Sequence, residues 1–124
     1  MSDVEVTIAI CSHNRTEGLR DCLASLVNQD TQNRFRYEIV IIHTGSSGTP
    51  ELIDDFAKNY DVPIRGILQQ HGGAVVARNI GIKAARGEWI ALFDDDQVAE
   101  PQWLRELWLV ATSKNAKSVG GLLH

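Results

Sequence analysis

Short β-rich runs and amphipathic helical stripes alternate from one end of this chain to the other, and that order constrains the fold more than any other feature. Residues 4–10 are rich in β-branched side chains and lead into polar Cys11-Ser12-His13-Asn14, which reads as a strand followed by a turn. Leu19, Cys22, Leu23, Leu26 and Val27 then recur at the spacing of one apolar helix face, with Asn14 and Glu17 placed as a capping box. Residues 38–42 form a nearly unbroken apolar run, the pattern of a parallel strand covered on both faces. After a loop, Thr49 is predicted to cap a second helix that has Pro50 at its first position and Leu52, Ile53 and Phe56 on its stripe. Residues 62–68 contain Pro63 and Gly66, so this strand is predicted to be short or near an edge. Gly72-Gly73 opens a third helix to about Arg86, with Gly87 as its C-terminal stop. Residues 89–93 are the next strand. Pro101 starts a fourth helix striped by Leu104, Leu107, Trp108 and Ala111, and residues 118–123 begin a last strand.

The order predicts an α/β protein of three layers, α/β/α, around a mainly parallel sheet with right-handed crossovers. In such folds the ligand crevice lies at the carboxyl ends of the strands. There Cys11-Ser12-His13-Asn14, His43-Thr44-Gly45-Ser46 and Asp94-Asp95-Asp96 would meet.

Length and composition narrow the classes further. With 124 residues, 44% hydrophobic and 23% charged, the chain is predicted to be one globular domain over 1–124, not a disordered, collagenous or repeat protein. No apolar stretch is long enough for a membrane span, and the acidic Met-Ser-Asp-Val-Glu start is no signal peptide. A soluble, cytoplasmic protein is the expectation. The net charge of −4 and the scattered basic residues argue against a nucleic-acid partner. Cys11 and Cys22 form no metal pattern and read as reduced, largely buried thiols.

Asp94-Asp95-Asp96 carries the sharpest chemical signal. Like charges this close repel unless a cation neutralises them. Oxygen donors suit Mg²⁺ or Mn²⁺, which take one or two carboxylates together with substrate phosphates. On an extended segment Asp94 and Asp96 point the same way and can share one metal, while Asp95 faces elsewhere. The alternative is a turn whose acids cap the helix beyond Pro101; the position at a strand's carboxyl end favours the metal. Gly72-Gly73 before a helix lets backbone approach an anion at the helix N-terminus, and Arg78 could reach a phosphate or the aspartates. A glycine-rich turn with a solvated arginine is the equal alternative. His13 and His71 are lone histidines, which are more often structural or solvated than catalytic. No Ser-His-Asp or Cys-His arrangement supports nucleophilic hydrolysis.

Together these stretches resemble a known family. Ser12-His13-Asn14-Arg15, Gly45-Ser46, Gly73 with Ala77-Arg78-Asn79-Ile80-Gly81, Ala85-Arg86-Gly87-Glu88-Trp89-Ile90, Asp94-Asp95-Asp96 and Pro101-Gln102-Trp103-Leu104 stand in the order seen in family 2 glycosyltransferases of the GT-A fold. The resemblance covers the nucleotide-sugar-binding N-terminal half of that domain. It implies sugar transfer from a nucleotide-diphosphate donor, mostly with inversion, and Mg²⁺ or Mn²⁺ as cofactor. It further implies that Ser12, Asn14, Arg15, His43, Gly45, Ser46, Gly73, Arg78 and Asp95 face the nucleotide, and that Asp94 and Asp96 hold the metal.

Two departures from that family bear on function. Where its members usually carry an acidic pair after the second strand, this chain has His43-Thr44. The acceptor-side half, with its general base, has no counterpart in these residues, so a truncated GT-A domain is expected. A non-catalytic nucleotide-binding or interaction module on the same fold is the competing reading. A phosphoacceptor receiver domain would need acids after the first strand, where Cys11-Ser12-His13-Asn14 stands. An uncovered last strand at Val119-Gly120-Gly121-Leu122-Leu123 and a Trp103 off the apolar stripe predict a two-fold homodimer through the C-terminal strand.

Overall fold

Strand β1 (Val6–Ser12) runs through the middle of the molecule, with β2 (Tyr37–His43) parallel on one side and β4 (Trp89–Asp94) parallel on the other. Beyond β2 lies β3 (Ile64–Leu68), also parallel and at the sheet edge, as Pro63 and Gly66 suggested. The computed structural model describes residues 4–13, 16–114, 118–119 and 122–123. Between the strands run α1 (Thr16–Leu26), α2 (Thr49–Asn59), α3 (Gly73–Ala84) and α4 (Trp103–Lys114). The chain ends in β5 (Ser118–Val119) and β6 (Leu122–Leu123), and the sheet order is β3-β2-β1-β4-β6-β5.

The apolar sequence of β1 and β2 is explained by the two faces it must cover. Ile8, Ile10, Ile39 and Ile41 turn to one side, where they pack with Leu19, Leu23 and Leu26 of α1, Leu52 and Phe56 of α2, and Leu104 of α4. Val40 and Ile42 turn to the other, against Ala77 and Ile80 of α3. The three layers expected from the alternation are present, with three helices on one face and one on the other.

Several boundaries differ, each for a tertiary reason. β1 extends past the predicted strand end to include Cys11 and Ser12, because parallel pairing continues to Ser12 opposite His43. The N-cap of α2 is Gly48 at φ 87°, not Thr49. Thr49 is buried, and its hydroxyl lies 2.9 Å from that of Thr16, linking α2 to α1. α3 ends without Gly87: Ala85 is extended, and its N–H donates to Gly81 O. Gly87 is needed for a different contact, since a Cβ there would stand 2.7 Å from both Thr7 N and Val6 C. α4 begins at Trp103, after a turn through Pro101 and Gln102. The Asn14 cap lies outside the described residues.

The predicted parallel last strand is instead a pair of short antiparallel ones, with β6 against β4 and β5 against β6. Trp103 is not left for a partner: its ring meets Phe93 edge to face at 4.9 Å, while Trp108 stacks on Phe35 at 4.7 Å. Trp103 packing on Phe93 removes one ground for the two-fold contact, and β6, not a parallel strand, pairs with β4 while β5 takes the sheet edge. Gly120 and Gly121 lie outside the described residues. Among the described residues no helix is long and apolar enough to cross a membrane.

A buried polar network locks the end of the sheet away from the predicted crevice. Glu38, 1% exposed, accepts from Thr7 Oγ1 at 2.7 Å and from Arg86 N at 2.8 Å, and its other oxygen lies 3.4 Å from Arg65 Nε. Arg65 also donates to Ala84 O, and Gly87 N donates to Thr7 Oγ1 at 2.9 Å. A buried carboxylate is tolerable only with such a set of donors. The Ala85-Arg86-Gly87 stretch thus joins β4 to β1 and β2 and has no part in the crevice.

Candidate functional site

Parallel register brings the strand ends level. Cys11 stands opposite Ile42 on one side and Asp94 on the other, and Ser12 stands opposite His43. These ends open into a cavity of about 570 Å³. Ser12, Gly73, Asp94, Asp95 and Asp96 line it, so five of the predicted site residues come together there.

The three aspartates are not equivalent. Asp94 ends β4, and the turn that follows is closed by Gln97 N donating to Asp94 O at 3.2 Å. Asp95 is 7% exposed, whereas Asp94 and Asp96 are open to solvent. Strand alternation does not produce this division, because Asp95 and Asp96 are the central residues of the turn and lie beyond the strand. Opposite them, α3 begins at Gly73 behind Gly72, with φ of 74° and 110° respectively, and has no acid in its first turn. Its first N–H groups therefore face the cavity with no negative side chain beside them, an arrangement that favours anions.

Two thiols flank the acidic turn. Cys11 lines the cavity; partial burial raises its pKa, the Arg78 charge lowers it, and Asp94 and Asp95 raise it. Arg78 itself is exposed on α3 and does not line the cavity, but its charge reaches the Cys11 thiol. Cys22 is fully buried on α1, where desolvation and then the three aspartates push it up to about 12, and its Sγ donates to Asp94 O at 3.6 Å. Both cysteines are free thiols.

Alternation along β2 separates the remaining candidates. Ile42 and Thr44 line the cavity, and His43 between them faces away from it. His43 is 7% exposed, burial lowers its pKa, and its Nδ1 accepts from Gly45 N at 3.1 Å, which requires the neutral ring. Gly45 and Ser46 do not line the cavity either; Ser46 O accepts from Thr49 N at 2.9 Å and so shapes the entry to α2. Asn14 and Arg15 lie outside the described residues.

The cavity also takes in His13, Gln69, Gln70 and His71. The glutamines were not singled out from sequence, although they directly follow β3, and the rule that ligands meet strand carboxyl ends flags that position. Among the described residues, no three His, Cys, Asp or Glu side chains converge as a metal cluster.

Comparison with known proteins identifies the lineage. The family model described as glycosyl transferase family 2 matches residues 7–123. The chain belongs to that family. Among family-2 relatives, the uncharacterized glycosyltransferase EpsJ of Bacillus subtilis (strain 168) is 33% identical over 116 residues, which is 93% of this chain and 33% of EpsJ. The chain spans about a third of the length of the curated relatives it matches. S. aureus TarS 1-349, solved in complex with UDP-GlcNAc, superposes with a TM-score of 0.74 at 19% identity, over 92% of this chain and 33% of TarS 1-349. The mannosyltransferase PcManGT from Pyrobaculum calidifontis, in complex with GDP-Man and Mn²⁺, gives 0.71 at 20% identity, over 90% of this chain and 32% of that one. The fold is GT-A.

Proposed function

We propose that this family 2 domain binds a nucleotide-diphosphate sugar in the cavity at the strand ends and contributes the donor side of a glycosyl transfer. The observation that carries the reading is the meeting of Asp94, Asp96 and the N-terminus of α3 across one 570 Å³ space. An acidic edge facing an anion-binding helix end suits a metal-bound diphosphate. TarS, which binds UDP-GlcNAc, and PcManGT, which binds GDP-Man with Mn²⁺, share the fold and support the same reading.

The donor set fits a divalent cation. Asp94 and Asp96 offer exposed hard oxygens to an ion that completes its shell with phosphate and water. When bound, Mg²⁺ or Mn²⁺ would supply Lewis-acid stabilisation of the departing diphosphate. The residues of this chain do the rest. Gly73 and Ala74 present backbone N–H groups to phosphate oxygens, with the Arg78 charge nearby. Ile42 and Ala77 form an apolar floor, while Ser12, Thr44, Gln69 and Gln70 offer neutral hydrogen-bonding groups to base and ribose. Asp95, the buried member of the three, would approach the ribose.

Calorimetry with UDP, GDP and CDP, with and without Mn²⁺, tests this. Binding of one nucleotide should require the cation, disappear on adding EDTA and be lost equally in Asp96→Asn. Equal affinity with and without metal would leave the aspartates as turn residues only.

A further inference from the structure

Residues 95–102, between β4 and α4, form neither strand nor helix, so their backbone groups must find bonds elsewhere. Several of those bonds come from α1 and from the residues that follow it. Cys22 Sγ donates to Asp94 O at 3.6 Å. Ser25 Oγ accepts from Ala99 N at 3.0 Å and donates to Cys22 O at 2.7 Å. Gln29 Nε2 donates to Glu100 O at 2.7 Å, and Gln29 Oε1 accepts from Leu104 N at 2.9 Å, capping α4 from outside. Gln29 is itself held, since its N–H donates to Tyr37 OH and its Nε2 also donates to Ser25 O. Asp30 continues the line, with its N–H on Pro101 O at 2.7 Å and its carboxylate 3.0 Å from Arg105.

Cys22 and Ser25 are spaced i and i+3 on one side of α1, and Gln29, three residues past its end, is tied to that side by its bond to Ser25 O. We propose that Cys22, Ser25 and Gln29 form a polar rail that presets the backbone of the acidic turn, and that they are positioning residues for cation binding by Asp94 and Asp96. The inference rests on the nucleotide–metal reading above. Three adjacent carboxylates repel one another, and a turn free to relax would spread them before a cation arrives. A rail that fixes the chain at Asp94, where the turn begins, and at Ala99, three residues beyond Asp96, limits that freedom in advance, as outer-shell bonds do at metal sites.

The test uses the full chain with UDP present, titrating Mn²⁺ and reading the free ion by electron paramagnetic resonance. Losing one hydrogen bond of the rail in Ser25→Ala should weaken Mn²⁺ binding about threefold to tenfold, while Ser25→Thr, which keeps the hydroxyl, should bind like the parent. Ile53→Val in α2 lowers stability to a similar degree away from the turn and should also bind like the parent. If Ser25→Ala does not fold, Cys22→Ala should show the same weakening. Parent-like binding by the rail variant, or matching weakening in Ile53→Val, overturns the rail while leaving the nucleotide site intact. A parent chain that binds no Mn²⁺ in the presence of UDP removes the proposed function and the rail together.

Discussion

Replacing Gly87 by alanine should be among the most damaging small substitutions in this protein. The added methyl would stand 2.7 Å from Thr7 N, 2.7 Å from Val6 C and 2.9 Å from Val6 Cα. All three are backbone atoms of β1, the strand held between β2 and β4, so no side chain can swing aside. Relief requires the segment before β4 to move outward, which also stretches the 2.9 Å bond from Gly87 N to Thr7 Oγ1. Overpacking of this kind costs about 1–3 kcal/mol and the hydrogen bond about 0.5–1.5 kcal/mol, so a loss of about 2–4 kcal/mol is expected. That is a large share of the roughly 5–15 kcal/mol that holds a typical domain together. Gly73→Ala is the control: nothing lies within 4 Å of its Cβ, and only the φ of 74° resists, at about 1–2 kcal/mol. Urea unfolding followed by tryptophan fluorescence and far-UV circular dichroism measures both. The damage should also reach the site, because the register that sets Trp89 opposite Val6 sets Asp94 opposite Cys11. If Gly87→Ala costs no more than Gly73→Ala, the contact relaxes freely and the reasoning is wrong.

Thr44→Asp should strengthen UDP binding about tenfold or more in calorimetry, because Thr44 lines the cavity and a carboxylate there would add a charge-assisted hydrogen bond to a base N–H. His43→Asp, equally eligible from sequence, should give no such gain and should destabilise the fold, since His43 faces away and serves Gly45 N; stronger UDP binding in this variant would refute the assigned orientation. Stability should fall on acidification through His43: its folded pKa lies below the usual 6.5, so its contribution is complete above 6.5 and is lost as pH drops toward the folded value. His43→Asn, which retains an acceptor for Gly45, should flatten the melting-temperature difference between about pH 7.5 and pH 5.5, and an unchanged difference would assign that dependence to other groups.

The layered α/β fold and the place of its crevice were legible from sequence because both follow from periodicities local to each element. Short continuous apolar runs between turn signals read as strands buried on both sides, and the Leu19-Cys22-Leu23-Leu26 stripe as a helix lying on them. The acidic triplet was legible for the same reason, as charge directly after such a strand. What the sequence could not decide depends on atoms far apart along the chain. Gln29 caps a helix 75 residues away, and Glu38 binds Arg86 across 48. The space at Gly87 is set by the backbone of β1, and the absence of space beside Trp103 is set by Phe93. His43 and Thr44 were interchangeable as letters. Strand alternation with a common register turned one into the core and the other into the cavity. Local pattern determines which elements form, since it rests on neighbours within a turn or two. Which side chain meets which backbone group is decided only when the strands pair and the helices settle on them.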